Sequence, residues 1–106
     1  MIIGRGLMYY VYVIECEIPN HYYIGLTQNF DERIRKHMNR KGARFTSLHG
    51  FKKVICKEEY YWREDAKVRE RELAQDYINK YGVENVAGAG WSQVLKGKIR
   101  GAQLGW

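Results

Sequence analysis

Tyr9-Tyr10-Val11-Tyr12-Val13-Ile14-Glu15, then Pro19-Asn20, then Tyr22-Tyr23-Ile24-Gly25-Leu26-Thr27: the fold of this chain turns on how this stretch is read. Both runs are rich in β-branched and aromatic residues, and the Pro-Asn pair between them is a turn signal, so they predict an antiparallel hairpin. Strand alternation puts Tyr10, Tyr12 and Ile14 on one face of the first strand, and Tyr23, Gly25 and Thr27 on one face of the second. Glycine weakens a strand interior. Gly25 therefore predicts a bend, a bulge, or close approach by another backbone or a substrate.

Downstream of the hairpin, Asn29 with Glu32 three residues on has the form of a capping box, and Phe30, Ile34 and Met38 supply an apolar stripe. A helix is expected over about residues 30–39. Residues 39–50 contain Gly42, Gly50 and several basic residues and read as a basic loop, followed by a third strand over about 53–58. A longer helix over about 64–81 is marked by Ala66, Leu73, Tyr77 and Tyr81 and ended by Gly82. Asn85-Val86-Ala87-Gly88-Ala89-Gly90 reads as a glycine-rich turn. The order is ββαβα, which predicts an α+β (mixed α/β) domain with a small three-stranded antiparallel sheet flanked by helices. Residues 1–8 form an N-terminal extension with an alternative start at Met8, residues 9–90 the domain, and residues 91–106 a basic tail.

With 106 residues, 45% of them hydrophobic and 14% aromatic, the chain has the material for one core and no second domain. It carries 18 Lys and Arg against 12 Asp and Glu, a net charge of +6, whose field draws polyanions. No apolar run is long enough for a membrane span and the N-terminus lacks a signal peptide's apolar core, so a cytoplasmic, intracellular location is expected. Cys16 and Cys56 stand 40 residues apart without metal-ligand spacing, which predicts reduced thiols.

Two charges fall where apolar residues are expected. Arg33 lies among Phe30, Ile34 and His37 on the first helix, and Glu70 lies four residues after Ala66 and three before Leu73 on the second. A charge on a core-facing stripe needs a partner. The two helices could be tied by an Arg33–Glu70 ion pair, or both residues could face a polar groove beside Tyr12 and Tyr23. Spacing alone does not separate these alternatives.

The same residues resemble the GIY-YIG nucleases. Tyr10-Val11-Tyr12-Val13-Ile14 is similar to the first motif, with Tyr10 where the family often has glycine, and Tyr23-Ile24-Gly25 matches the second. Asn29-Phe30-Asp31-Glu32-Arg33 with His37 resembles the family's arginine helix, Gly42-Ala43-Arg44-Phe45-Thr46 the loop after it, and the segment from Ala66 to Glu70 its glutamate helix. The resemblance covers roughly residues 9–85. It implies a DNA endonuclease that hydrolyses phosphodiester bonds with one divalent ion, Mg²⁺ or Mn²⁺. By the same resemblance Tyr12 and Tyr23 would position and activate water, Gly25 would let the phosphate approach, Arg33 would grip the phosphate, and Glu70 would hold the ion. His37 would touch phosphate, serve as a second base, or be structural. Asn85 would be the polar residue after the glutamate helix. Leu26 stands where many relatives have lysine, and Glu72 is expected on the opposite side of its helix from Glu70.

Lys36, Arg40, Lys41, Arg44 and His49 cluster after the first helix, and Lys96, Lys98 and Arg100 stud the tail, so DNA backbone contacts are expected from both. No helix-turn-helix or zinc-finger pattern is present, so specificity would come from loops, DNA shape, a homodimer or a separate targeting partner. The rival reading is a non-cutting nucleic-acid-binding module on the same fold.

Overall fold

In a computed structural model, which describes residues 8–88, the hairpin forms as expected. Strands β1 (Tyr9–Cys16) and β2 (Tyr22–Thr27) are antiparallel, with Tyr12 opposite Gly25 and Ile14 opposite Tyr23. Helix α1 (Phe30–Met38) follows, then a short helix α2 (Arg44–His49), strand β3 (Phe51–Tyr60), helix α3 (Arg63–Tyr81), a 3-10 turn (Val83–Asn85) and strand β4 (Val86–Gly88). The N-terminal extension before Met8 and the basic tail lie outside the described residues.

The sheet has four strands in the order β3-β1-β2-β4, and β4 runs parallel to β2. This corrects the expected three-stranded antiparallel sheet. Val86 to Gly88 are buried, and their backbone groups pair with Tyr22 to Ile24 rather than with water, so part of the expected glycine-rich turn is strand. Residues 44–49, expected as loop, form α2. Its termini are marked by Ala43 in extended conformation and by Gly50 at φ 83°, a left-handed value suited to glycine.

Helices cover both sheet faces. On one, Val11, Val13, Tyr22 and Ile24 pack with Ala66, Leu73 and Ile78 of α3, and Tyr77 and Tyr81 flank them. Leu26 packs against this cluster too, opposite Val11, so a longer side chain there would start from the α3 side. On the other face, Tyr12, Ile14 and Tyr23 pack with Phe30 and Ile34 of α1 and with Phe45 of α2. Half of the expected capping box forms: the Asn29 side chain accepts from the Glu32 N–H at 3.4 Å, but the Glu32 carboxylate accepts from the Asn29 side-chain amide at 2.9 Å, and the Asn29 backbone N–H donates to Thr27 Oγ1 at 3.1 Å. Met38 is 57% exposed, contrary to the expected stripe, and the buried residue of that turn is His37.

Gly25 sits in an unbroken β1–β2 ladder, so neither a bend nor a bulge accounts for it. A Cβ there would collide with the Tyr12 ring and hydroxyl. Glycine at this position leaves room for the tyrosine across the strand to lie flat over the sheet.

Candidate active site

The two tyrosines come from adjacent strands. Tyr12 is 1% and Tyr23 3% exposed, with ring centres 6.3 Å apart. His37 of α1 closes the group, 5.8 Å from the Tyr12 ring and 4.9 Å from the Tyr23 ring, and is itself fully buried. A polar ring in such a place needs partners at both nitrogens, and it has them. The Tyr12 hydroxyl lies 3.0 Å from His37 Nε2, and Thr46 Oγ1 lies 2.8 Å from His37 Nδ1.

The direction of this chain follows from counting protons. Thr46 has one hydroxyl proton and donates it to the Ala43 carbonyl at 3.2 Å, so its oxygen accepts from His37 Nδ1–H. Nε2 of the neutral ring then carries the lone pair, and Tyr12 O–H donates to it. Gly42 is part of the same enclosure, since a Cβ there would stand 2.7 Å from the His37 ring. Burial, and secondarily the Arg33 guanidinium, hold the His37 pKa down to about 4, so the ring is neutral at ordinary pH.

Burial also pushes Tyr12 well above its ordinary value of 10 and Tyr23 up to about 12, while the Arg33 charge opposes and the Glu70 charge reinforces both shifts. Arg33 and Glu70 therefore act on the same pair of hydroxyls from α1 and α3. Glu70 is 5% exposed, with Ala66 and Leu73 of its stripe buried beside it. The ion pairs found among the described residues join Lys52 to Glu15 and Arg69 to Glu58 and Glu72; none links Arg33 to Glu70. Glu72 projects outward, its side chain 59% exposed.

Among the described residues no group of three or more His, Cys, Asp or Glu side chains is placed to share a metal. That donor set does not fit a tetrahedral zinc site, which needs several nitrogen or sulfur ligands. Among the described residues Glu70 is the one buried carboxylate, a hard oxygen donor of the kind that could hold a divalent ion otherwise bound by water and substrate oxygens. Cys16 and Cys56 are free thiols.

Outside this pocket, Arg33 and Lys36 border a recess of about 250 Å³ with Thr27, Asn29 and Glu32. Arg40, Lys41 and Arg44 border a second, of about 390 Å³, at the α1–α2 junction. Arg40 is partly committed there, donating to the Ser47 carbonyl at 2.6 Å. Asn85 is not drawn into the tyrosine group by any contact among the described residues; its side-chain amide donates to the Tyr81 carbonyl at 2.8 Å and caps α3. Thr46 was missed by sequence reasoning. It lay at the end of the loop that resembles the family, but nothing local marks it as a partner of His37, a contact that exists only once α2 is folded onto α1. No helix among the described residues is long and apolar enough to cross a membrane.

Comparison with known proteins gives the family. The model of the GIY-YIG catalytic domain matches residues 8–82. A UPF0213 protein of Halalkalibacterium halodurans is 34% identical over 58 residues, 55% of this chain and 61% of that protein. A UPF0213 protein of Clostridium perfringens is 35% identical over 63 residues, 59% of this chain and 67% of its own length, and one of Staphylococcus epidermidis 29% over 65 residues, 61% and 78%. The chain thus spans less than two thirds of the first of these relatives. No solved structure matches it. The match spans more than half of the chain, including the hairpin and both main helices, and the chain belongs to the GIY-YIG catalytic domain family.

Proposed function

We propose that this chain is a divalent-metal-dependent DNA endonuclease whose reaction takes place over Tyr12 and Tyr23. The observation that carries the reading is the buried chain from Tyr12 through His37 to Thr46, lying where the fields of Arg33 and Glu70 overlap. Hydrolysis forms a bond from water oxygen to phosphorus and breaks the bond from phosphorus to the leaving oxygen. Water must lose a proton, and charge on the phosphate must be offset.

Tyr12 suits the first need as a relay. Its phenolate is disfavoured by burial, so a free phenolate base is a poor description. A proton taken from water onto the Tyr12 oxygen can instead be matched by transfer of the tyrosine's own proton to His37 Nε2, which leaves Tyr12 neutral. The positive charge then rests on His37. Burial, and after it the Arg33 charge, resist that charge in the empty site, and a phosphate bound to Arg33 would offset the second of these. Tyr23, next to His37, orients the water from β2, and Arg33 binds the phosphate through paired donors.

Glu70 would hold the Mg²⁺ or Mn²⁺ ion, which when bound offsets charge on the phosphate and the leaving oxygen. Lys36, Lys41 and Arg44 lie along the rim and would track the DNA backbone. His37, fully buried, is an internal proton acceptor and positioning group in this reading, not a phosphate ligand.

The test is incubation of the purified protein with supercoiled plasmid and a branched oligonucleotide, with EDTA, Mg²⁺ or Mn²⁺, beside a Glu70→Ala variant. Metal-dependent nicking lost in the variant is expected. DNA binding without cleavage in either metal would make the chain a non-cutting module and overturn the proposal.

A further inference from the structure

Lys57 of β3 is the cross-strand partner of Tyr12. Directly paired residues project from the same face of a sheet, so this lysine rises from the face that carries both tyrosines. It is exposed, and its ammonium lies 4.3 Å from the centre of the Phe30 ring and 5.3 Å from that of Tyr10. Phe30 in turn stands edge-on to Tyr12 at 5.8 Å. The cation is therefore fixed one ring away from Tyr12.

What holds it there is aromatic rather than acidic. Lys52 of the same strand is paired with Glu15 at 3.5 Å, whereas the ion pairs among the described residues do not include Lys57. Of its acidic strand neighbours, Glu58 projects to the opposite face and is engaged by Arg69 at 2.9 Å, while Glu59 shares the face. Cation–π contact orients an ammonium while leaving its charge and donors available to an anion. Phe30 begins α1, Arg33 follows one turn on, and the recess bordered by Arg40, Lys41 and Arg44 lies past its end. Lys57 and this recess thus mark the two ends of a helix about 13 Å long, with Arg33 between them.

We propose that Lys57 is a DNA-binding residue that takes a backbone phosphate next to the scissile one, on the β3 side of the tyrosines. The inference rests on the nuclease reading for the identity of its ligand. It assigns the substrate strand a path along α1, from Lys57 across Arg33 to the α1–α2 recess.

Lysine to methionine at position 57 keeps the stem over Phe30 and removes the charge. Binding of a labelled duplex by fluorescence anisotropy, in EDTA to block cleavage, should be measured from 50 to 200 mM salt for the wild type, Lys57→Met, Lys57→Arg and Lys80→Met. Lys80, near the Tyr81 ring at the end of α3, is the control. Loss of one phosphate contact makes the slope of log affinity against log salt shallower by about 0.9, so the gap between variant and wild type narrows about threefold over this range. Lys57→Met should show this, with Lys57→Arg restoring the wild-type slope and Lys80→Met keeping it. A wild-type slope in Lys57→Met, with thermal midpoints unchanged, would overturn the proposal and leave the nuclease reading standing. Failure of the wild-type protein to bind DNA would overturn both.

Discussion

Tyr22 and Tyr23 are neighbours in one strand, both buried, yet they belong to different kinds of surface. Tyr22 faces α3, packs its ring against Tyr77 at 5.0 Å and Tyr81 at 4.5 Å, and is hydrogen-bonded through its hydroxyl to Tyr81. Tyr23 faces the other way, towards Tyr12 and His37, beneath the charge of Arg33. The two faces of the sheet share strands, aromatic content and degree of burial. They differ in what the second layer offers: α3 contributes aliphatic side chains and the phenol of Tyr81 to one, whereas α1 and α2 contribute an imidazole and a hydroxyl to the other. Neither burial nor a bonded hydroxyl sets Tyr12 apart from Tyr22; what does is an imidazole, rather than another phenol, as the partner of its proton.

Variants can break this contrast. The largest expected effects are from Arg33→Ala and Glu70→Ala, each lowering single-turnover cleavage by roughly 10³-fold with little change in thermal midpoint. Glu72→Ala, two residues from Glu70 on the outer side, should cleave like the wild type. His37→Ala should lower the rate about 10²-fold and also destabilise the fold by about 1–3 kcal/mol, because it removes the acceptor of a buried hydroxyl. Denaturant unfolding and cleavage measured on the same preparation separate the two losses.

Gly25→Ala tests the packing beneath the chemistry. The added methyl competes with the Tyr12 ring for space, so it should cost about 1–3 kcal/mol and displace Tyr12 from His37. Cleavage should fall with it. The smallest effect is on the pH dependence of stability. His37 has a pKa of about 4 in the folded protein against an ordinary 6.5, so the unfolded chain binds the proton more tightly. Its contribution is fully present above about pH 6.5 and is lost as pH falls through about 4, up to about 3 kcal/mol in all. Urea unfolding between pH 7 and 4 should lose this slope in His37→Gln.

The parts legible in the sequence were those carried by local periodicity. The hairpin, the two main helices and the inward placement of Glu70 follow from alternation and three-to-four spacing, and a carboxylate between Ala66 and Leu73 is conspicuous on such a stripe. Strand β4 was not legible. It is three residues long, ends in glycine, and gains its partner only when α3 has carried the chain back to β2. Helix α2 is likewise too short to show a period. On α1 the apolar stripe pointed to Met38, but the turn buries His37, because Tyr12 and Thr46 satisfy both of its nitrogens. The polar network that distinguishes one sheet face from the other is a tertiary product: Tyr12, His37 and Thr46 each fall in a stretch that resembles the family, but no local spacing says that their side chains meet.

The most direct test of that distinction compares Tyr12→Phe with Tyr22→Phe. Each removes one hydroxyl from a buried ring, on opposite faces of the same sheet. Cleavage of a labelled DNA substrate under single-turnover conditions, with thermal midpoints measured in parallel, should fall by about 10²-fold or more in Tyr12→Phe and stay at the wild-type rate in Tyr22→Phe. Equal rates in the two variants would contradict the account, since the hydroxyl of Tyr12 would then have no more part in cleavage than that of Tyr22.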